Sequence, residues 1–450
     1  MRRTAMAMDL LEKVKRAGVV GAGGAGFPTH VKLNTQVKHL IINGVECEPL
    51  IRVDQELMAA FPRELVEAAQ QVQKHLGATR GYFALKKQYQ RAIAALKPHL
   101  ASLSDWSLVE LDSFYPAGDE QVLVYEVLGA VVPEGGIPLQ VGAVVINVET
   151  LLNIYHALQD QPVTASYLTV TGAVKKPMTL KVPVGTAIGE VLREAGPTCT
   201  DGVIIDGGPM MGKIVSQQDP VTKTTKALIL VPAHHPLLKY KQVDQAAAIR
   251  RAMSVCCTCR QCTDLCPRYL LGHDLQPHQS MTAVAYGKAF DTKAITQAFL
   301  CSECGVCDAY ACPMGLSPRA VHIMLKGQMT AQGMKNPHRN QVEHARREQP
   351  YRRVPTARLI QRLGLAEWDV PAPLTPLSFQ PAEVRLPLKQ HIGQPARATV
   401  QVGDKVSQGD VVATLPAESL GAPLHASISG TVVSIHPEII LRAEGGALDA

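Results

Sequence analysis

Aromatic side chains are scarce in this chain: eleven Tyr, seven Phe and two Trp among 450 residues. That is too few to build a base-stacking surface, so no nucleic-acid partner is expected. Charge of one sign is also lacking, since 45 Lys and Arg face 39 Asp and Glu with no long basic run, and the net charge of +6 is mild. No window approaches 18 uninterrupted apolar residues, so no membrane span is predicted. The opening MRRTAMAMDLLEKVKR has two arginines but no apolar stretch of signal-peptide length, and Lys13, Lys15 and Arg16 follow at once. A secretory leader is therefore not expected.

Cysteine is what the chain does have. Eight of its eleven cysteines fall in two tight runs, Cys256-x2-Cys259-x2-Cys262-x3-Cys266-Pro267 and Cys301-x2-Cys304-x2-Cys307-x4-Cys312-Pro313. The first has the spacing of bacterial two-cluster ferredoxins; the second carries one extra residue before its last cysteine. Three thiolates on one such loop fill three corners of a cubane, and in those ferredoxins a distant cysteine of the other run supplies the fourth. By that rule Cys256, Cys259, Cys262 and Cys312 hold one [4Fe–4S] cluster, and Cys301, Cys304, Cys307 and Cys266 hold the other. The alternatives are disulfides or zinc, and structural zinc more often uses two separated C-x2-C pairs. Thiolates that ligate iron must stay reduced, which points to a cytoplasmic setting. Cys257 adjoins a ligand and is read as a spectator.

The fold class expected is multidomain α/β. From 1 to 160, helical patterns alternate with the β-rich runs Leu40–Ile42, Tyr82–Leu85, Ser107–Leu111 and Ala143–Asn147, the texture of a largely parallel sheet. Residues 163–232 turn to short strands and glycine turns around a short helix from Ala187 to Ala195, a β-grasp (SLBB-like) texture. The cluster region spans 243–326 and is otherwise mainly helical. Residues 327–384, rich in Arg and Pro, read as a linker wrapping the surface. Residues 385–445, with Gly403-Asp404 and Gly409-Asp410 turns between alternating strands, are similar to the barrel-sandwich fold of biotinyl and lipoyl carriers. Such carriers need a lysine on the hairpin between their halves. Ala417 to His425 contains none, so a docking module is expected there.

Gly21-Ala22-Gly23-Gly24-Ala25-Gly26 satisfies G-x-G-x-x-G, a weak signal alone. A dinucleotide loop needs a strand before it and a helix at once after it. Here a helix, Leu10 to Ala17, precedes it and Pro28 follows, so an ordinary Rossmann fold is disfavoured. Glycines still let backbone N–H groups approach a phosphate, with Lys32 nearby as an anion partner. Bland readings stand beside these: a turn without ligand for the loop, a turn cap for Asn43, solvation for Glu46 and Glu48.

The series becomes specific when the motifs are taken in order: Gly23-Gly24-Ala25-Gly26-Phe27-Pro28 with Lys32, Asn43-Gly44-Val45-Glu46-Cys47-Glu48-Pro49, Tyr115-Pro116-Ala117-Gly118-Asp119-Glu120, and Asn147-Val148-Glu149-Thr150. It resembles the flavoprotein subunit of respiratory complex I, the C subunit of the Rnf electron-transport complex, and the corrin (cobalamin) reductases of propanediol-utilising bacterial microcompartments. In the Rnf protein the barrel-sandwich segment comes first. Here its Leu388-Lys389-Gln390-His391-Ile392-Gly393 start follows the clusters, as in the corrin reductases.

The resemblance implies an FMN site with Gly21, Gly23, Gly24 and Lys32 around the phosphate and ribityl chain. Asn43 and Glu46 would face the isoalloxazine, Tyr115, Gly118, Asp119 and Glu120 would close one side, and Asn147 and Thr150 would reach the ribityl or phosphate end. Departures from the complex I pattern are Ala22 for arginine, Val45 for aspartate, Ile146 for asparagine and Thr35 for an aromatic. The implied path runs from NADH through FMN and two [4Fe–4S] clusters to cobalamin, with a corrinoid adenosyltransferase and microcompartment shell proteins as partners and no catalytic acid or nucleophile. Alternatives are an Rnf-type electron-transport component, or a non-enzymatic relay or docking component of a microcompartment. His273, His278 and His425 are expected in surface or turn roles rather than as cobalt ligands.

Overall fold

The structure, a computed structural model, describes residues 10–287, 292–416 and 419–444. The first nine residues of the opening segment, and Ala417 and Glu418 of the lysine-free hairpin, lie outside the described residues.

Residues 10–16 are helical and precede the glycine loop. Four parallel strands follow: β1 (His39–Gly44), β2 (Arg80–Lys86), β3 (Trp106–Leu111) and β5 (Ala143–Asn147), in spatial order β3-β2-β1-β5. Leu40, Ile41, Ile42, Phe83, Ala84, Leu85 and Val144 to Ile146 are buried. Side chains of consecutive residues point to opposite faces, so both faces must be covered, as a parallel sheet between helices requires. The helix Pro62–Leu76 shows how its sequence sets such a cover. Proline takes the first position, Leu65, Ala68, Ala69, Val72 and Leu76 form the buried stripe, and Gly77 ends it at φ +63°.

A five-stranded mixed sheet comes next: β6 (Ala165–Gly172), β7 (Met178–Pro183), β8 (Gly202–Asp206), β9 (Lys213–Val215) and β10 (Ala227–Pro232), ordered β7-β6-β10-β8-β9. The helix Ile188–Ala195 covers one face through Ile188, Val191, Leu192 and Ala195. The cysteine region is built of short helices, among them Gln245–Val255, Pro277–Ala285 and Pro318–Ala331.

The segment read as a linker is partly ordered into elements. β11 (Val354–Pro355) pairs antiparallel with the short strand β4 (Phe114–Tyr115), and the helix Thr356–Arg362 follows. Two small antiparallel sheets close the chain. One is β12 (Glu383–Pro387), β18 (Glu438–Ala443), β17 (Gly430–Ser434) and β14 (Lys405–Val406); the other is β13 (Arg397–Ala398), β15 (Val411–Thr414) and β16 (Leu424–His425). Val384, Leu386, Val412, Val432, Ile439 and Leu441 fill the space between them.

Among the described residues no helix is long and apolar enough to cross a membrane.

Candidate functional site

β1 leads to β2 and β3 on one side, whereas β5 lies on the other. The chain therefore reverses direction between β1 and β5, and the crevice beyond their carboxyl ends is where open α/β sheets bind ligands. Asn43 and Asn147 stand opposite each other in register at that edge.

The glycine loop lies over the same edge. The Val20–Pro28 bridge and a Gly21 N–H to Phe27 carbonyl bond of 3.0 Å pin its base. The Ala22 N–H donates to Thr150 Oγ1 at 2.9 Å, and a Cβ on Gly23 would come within 3.1 Å of Asn147 Nδ2. A Cβ on Gly24 would meet nothing within 4 Å, so that stretch of backbone is open to an approaching group. Residues 388–393, far along the chain, brace the loop from outside: the Ile392 N–H donates to the Ala25 carbonyl at 3.1 Å. Gly26, at φ +72°, leaves no room for a side chain against His391 and Thr224.

Asn147 caps the helix Val148–Leu158, its Oδ1 accepting from the Glu149 N–H at 3.0 Å, while its Nδ2 donates to Asp54 Oδ2 at 2.7 Å. Asn43 accepts from the Val45 N–H at 3.0 Å and donates to the Gly118 carbonyl at 2.9 Å. Both asparagines thus do the turn work that loop asparagines usually do. They also hold the crevice edge.

The 115–120 segment forms one wall. A Cβ on Gly118 would lie 2.1 Å from the Val45 carbonyl oxygen, so only glycine allows this approach. Asp119 caps the helix Glu120–Leu128 and is gripped at both oxygens by Arg268, at 2.6 and 2.9 Å. Glu120 pairs with Lys32 at 2.6 Å, so the two charges singled out in the sequence meet each other. Tyr115 differs from the expectation that it closes the side of a flavin. It is 2% exposed, and its hydroxyl donates to the Cys304 carbonyl at 2.7 Å, so its side chain serves the cysteine loop behind the wall.

A buried charge cluster underlies the crevice. Lys226 Nζ donates to Asp54 at 2.8 Å and to Glu149 at 2.7 Å, with all three side chains at most 10% exposed. Two carboxylates keep that lysine charged. Glu46 is buried beside them rather than solvated. Burial first, then the negative Asp54, pushes its carboxyl up to about 8, and its Oε1 has no partner. Glu48 likewise is bound, accepting from the Met210 and Met211 N–H groups at 2.9 and 2.8 Å. Sequence reasoning misses Asp54, Lys226 and Arg268. They lie 93, 172 and 149 residues from partners that give them meaning, and only the Cys-Pro-Arg context of Arg268 offers a local signal.

The two cysteine runs fold alike. The middle cysteine of each triplet is flanked by left-handed residues, Thr258 (φ 52°) and Arg260 (φ 53°) around Cys259, Glu303 (φ 60°) and Gly305 (φ 77°) around Cys304. Non-glycine residues adopt this conformation at a cost, and such strain gathers at functional sites. The extra residue of the second run is absorbed as a π-helical turn, Cys307–Ala311, closed by the Cys312 N–H on the Cys307 carbonyl at 3.1 Å.

Cys256, Cys257, Cys259, Cys262 and Cys312 line one hollow whose walls come only from residues 256–318. Cys266 packs with Cys301, and Cys301, Cys304 and Cys266 are close enough for each thiol to hinder ionisation of the next. Burial first pushes Cys262 and Cys266 up to about 12, with Cys312, Cys259 and Cys256 adding to it at Cys262 and Cys304 at Cys266. Converging thiols that resist ionising alone suit a donor set completed by a cationic metal group. Among the described residues, no three His, Cys, Asp or Glu converge tightly enough for a single ion. The triplet-plus-one spacing of each run suits a cubane, whereas structural zinc more often takes two separated C-x2-C pairs. The crevice also fits a flavin: an open glycine backbone, a lysine at its mouth and an orphaned buried carboxyl. His273 and His425 are buried instead of sitting in surface turns, and His278 hydrogen-bonds Thr263 at 2.7 Å.

Three family matches cover most of this ground. Residues 14–156 match the Nuo51 FMN-binding domain, 255–317 a 4Fe-4S dicluster domain, and 373–447 the RnfC barrel sandwich hybrid domain. The chain is 44% identical to the cobalamin reductase PduS of Salmonella typhimurium over 97% of both chains. It is 33% identical to a component of the Na(+)-translocating ferredoxin:NAD(+) oxidoreductase complex of Acetobacterium woodii, over 59% of each. Among solved structures, an NAD+-reducing [NiFe]-hydrogenase aligns with a TM-score of 0.48 and 19% identity, covering 75% of this chain and 69% of that one.

Proposed function

The chain belongs to the cobalamin reductase family, and from that premise we propose that it passes electrons from NADH to the cobalt of cobalamin. Its cofactors are FMN and two [4Fe–4S] clusters. When bound, FMN supplies the exchange between a two-electron hydride donor and one-electron acceptors. The rest is the work of this chain's residues.

We assign the flavin to the crevice at the ends of β1 and β5. Gly21, Gly23 and Gly24 present backbone to it and Lys32 gives a phosphate its cation. Asn43 and Glu46 stand at the ring end, with Gly118, Asp119 and Glu120 along one side and Asn147 and Thr150 fixing the loop above. Tyr115 supports the site from behind. Cys256, Cys259, Cys262 and Cys312 form one cluster set; Cys266, Cys301, Cys304 and Cys307 form the other. Residues 163–232 are read as an SLBB-like β-grasp, 243–326 as the cluster domain and 385–445 as the barrel-sandwich domain. The setting this reading supports is propanediol degradation in a bacterial microcompartment, with a corrinoid adenosyltransferase receiving reduced cobalt.

One observation carries the proposal: the wall that closes the crevice also holds the cysteine loops. Asn43 bonds Gly118, Asp119 grips Arg268 two residues after Cys266, and Tyr115 bonds Cys304. Electron transfer between two sites requires such adjacency. The test follows cobalamin absorbance anaerobically with NADH, alone and with the adenosyltransferase. Cobalt reduction that is slowed by Lys32→Ala and by Cys304→Ser is the expected result. Reduction of ferricyanide but never of cobalamin would replace this reading with the Rnf-like one.

A further inference from the structure

The two cysteine sets differ in where they face, and that difference gives the path a direction. Cys266, Cys304 and Cys307 are each 8% exposed, and Cys304, Val306 and Ala309 belong to the same apolar core as β1 and β2. Both anchors to the flavin wall, Tyr115 to the Cys304 carbonyl and Asp119 to Arg268, act on this set. Lys326 further ties its loop by donating to the Cys301 carbonyl at 3.0 Å.

The other set faces out. Cys257 and Cys259 are exposed, Cys256, Cys262 and Cys312 are half-buried, and Met314 at the rim is 42% exposed. Its hollow borrows no residue from the flavin region. The sets nevertheless touch, because the turn Gln261–Asp264, which carries Cys262, packs on the turn Cys307–Ala311, which carries Cys307.

Resting on the reading above, we propose that Cys266, Cys301, Cys304 and Cys307 hold the flavin-side cluster, and that Cys256, Cys259, Cys262 and Cys312 hold the cluster that delivers electrons to the acceptor. Each NADH oxidised to NAD+ with release of one proton yields two electrons. With FMN and both clusters bound, these electrons would pass one at a time from the inner cysteine set to the outer and would reduce two Co(III) to Co(II) at the rim formed by Cys259 and Met314. Cys301 is half-buried, but Cys266, Cys304 and Cys307 are buried and protein covers the inner set on the flavin side, so the outer set is the more open of the two.

The test uses the full chain, anaerobically purified with its cofactors, in three variants. Cys304→Ser and Cys259→Ser should each lose about half of the iron, as expected for one of two four-iron clusters. In Cys259→Ser, NADH should still give the reduced-cluster EPR signal while cobalamin reduction falls at least about tenfold, equivalent to about 1.4 kcal/mol in barrier. In Cys304→Ser, dithionite should produce the EPR signal of the remaining cluster but NADH should not on the same timescale. Met314→Asp puts a charge at the rim of the outer hollow, so it should slow cobalamin reduction while NADH still reduces the inner cluster at the wild-type rate, which keeps the test open if a cysteine variant misfolds. An outer cluster reduced by NADH at the wild-type rate in Cys304→Ser, or unchanged cobalamin reduction in Met314→Asp, overturns the order. A wild type whose flavin and clusters stay oxidised with NADH overturns the underlying reading, and the order with it.

Discussion

Lys226→Met should be among the most damaging single substitutions in the chain, although Lys226 touches no expected ligand. Its ammonium is shared between Asp54 and Glu149, which are 4% and 1% exposed as side chains. Methionine keeps most of the volume and removes the charge, so the loss is electrostatic. Removing one partner of a buried ion pair leaves an uncompensated charge and costs roughly 3–5 kcal/mol. For a cooperative unit of roughly two hundred residues that lowers Tm by about 10 °C. Burial already raises the Glu149 carboxyl above its ordinary value, and loss of the ammonium that opposes this raises it further, so proton uptake relieves part of the penalty. The folded state thereby binds more protons than the unfolded one, so the variant's stability falls as pH rises. The deficit against wild type should be largest near pH 8 and shrink towards pH 5. Thermal unfolding followed by circular dichroism across that range measures it, reading the first transition because a multidomain chain need not unfold in one step. Adding Asp54→Asn and Glu149→Gln should recover part of the loss by replacing the unpaired charges with neutral amides. A deficit under about 2 °C at pH 8, or one that does not vary with pH, would refute this account.

Other outcomes follow from the same geometry. Lys32→Ala should weaken FMN binding by roughly 1.5–3 kcal/mol, the range for a charge-assisted contact. Glu120→Gln should strengthen it, because Glu120 holds Lys32 at 2.6 Å and competes with a phosphate; flavin fluorescence titration checks both, and two unchanged affinities would remove Lys32 from the site. Glu46, pushed up to about 8 by burial and Asp54, contributes stability that is present below its unfolded pKa and is lost as pH rises through about 8. Glu46→Gln should therefore flatten stability over that window, which unfolding curves at successive pH values will show. Gly118→Ala places a carbon 2.1 Å from the Val45 oxygen, so the wall must move. It should cost roughly 1–3 kcal/mol of stability and lower flavin occupancy together.

Local patterns make much of the architecture legible. The runs Leu40–Ile42, Tyr82–Leu85, Ser107–Leu111 and Ala143–Asn147 each fall within a strand: the continuous apolar runs of β1 and β5 mark a buried parallel sheet, whereas β3, at the edge, carries Ser107 and Glu110 and is half-buried along its middle. The cysteine spacing is equally local, since a cubane dictates it. Contacts closed over long distances in sequence leave no such trace. A motif nominates Tyr115, but which way its ring points depends on Cys304, 189 residues away. The segment from 327 to 384 is Pro- and Arg-rich and reads as irregular, yet its Val354 and Pro355 find a strand partner in Phe114 and Tyr115. Two-residue strands carry no periodicity to read.

The long-range bonds also explain why the crevice needs so much of the chain. The glycine loop has no strand before it to fix its direction, so its position must be imposed from outside. Thr150 holds it from the helix beneath, and Ile392 holds it from the segment between β12 and β13. Lys223 then joins its base to both neighbouring units, donating to the Gly18 carbonyl at 2.8 Å and to the Pro423 carbonyl at 2.9 Å. Desolvation lowers that buried lysine to about 7, and among the described residues two carbonyls hold it and no carboxylate pairs with it. A loop fixed by three separate units is stiff only while all three stay docked. Shortening the C-terminal sheets should therefore loosen flavin binding before it affects the iron content, because the cysteine sets draw their walls from other residues.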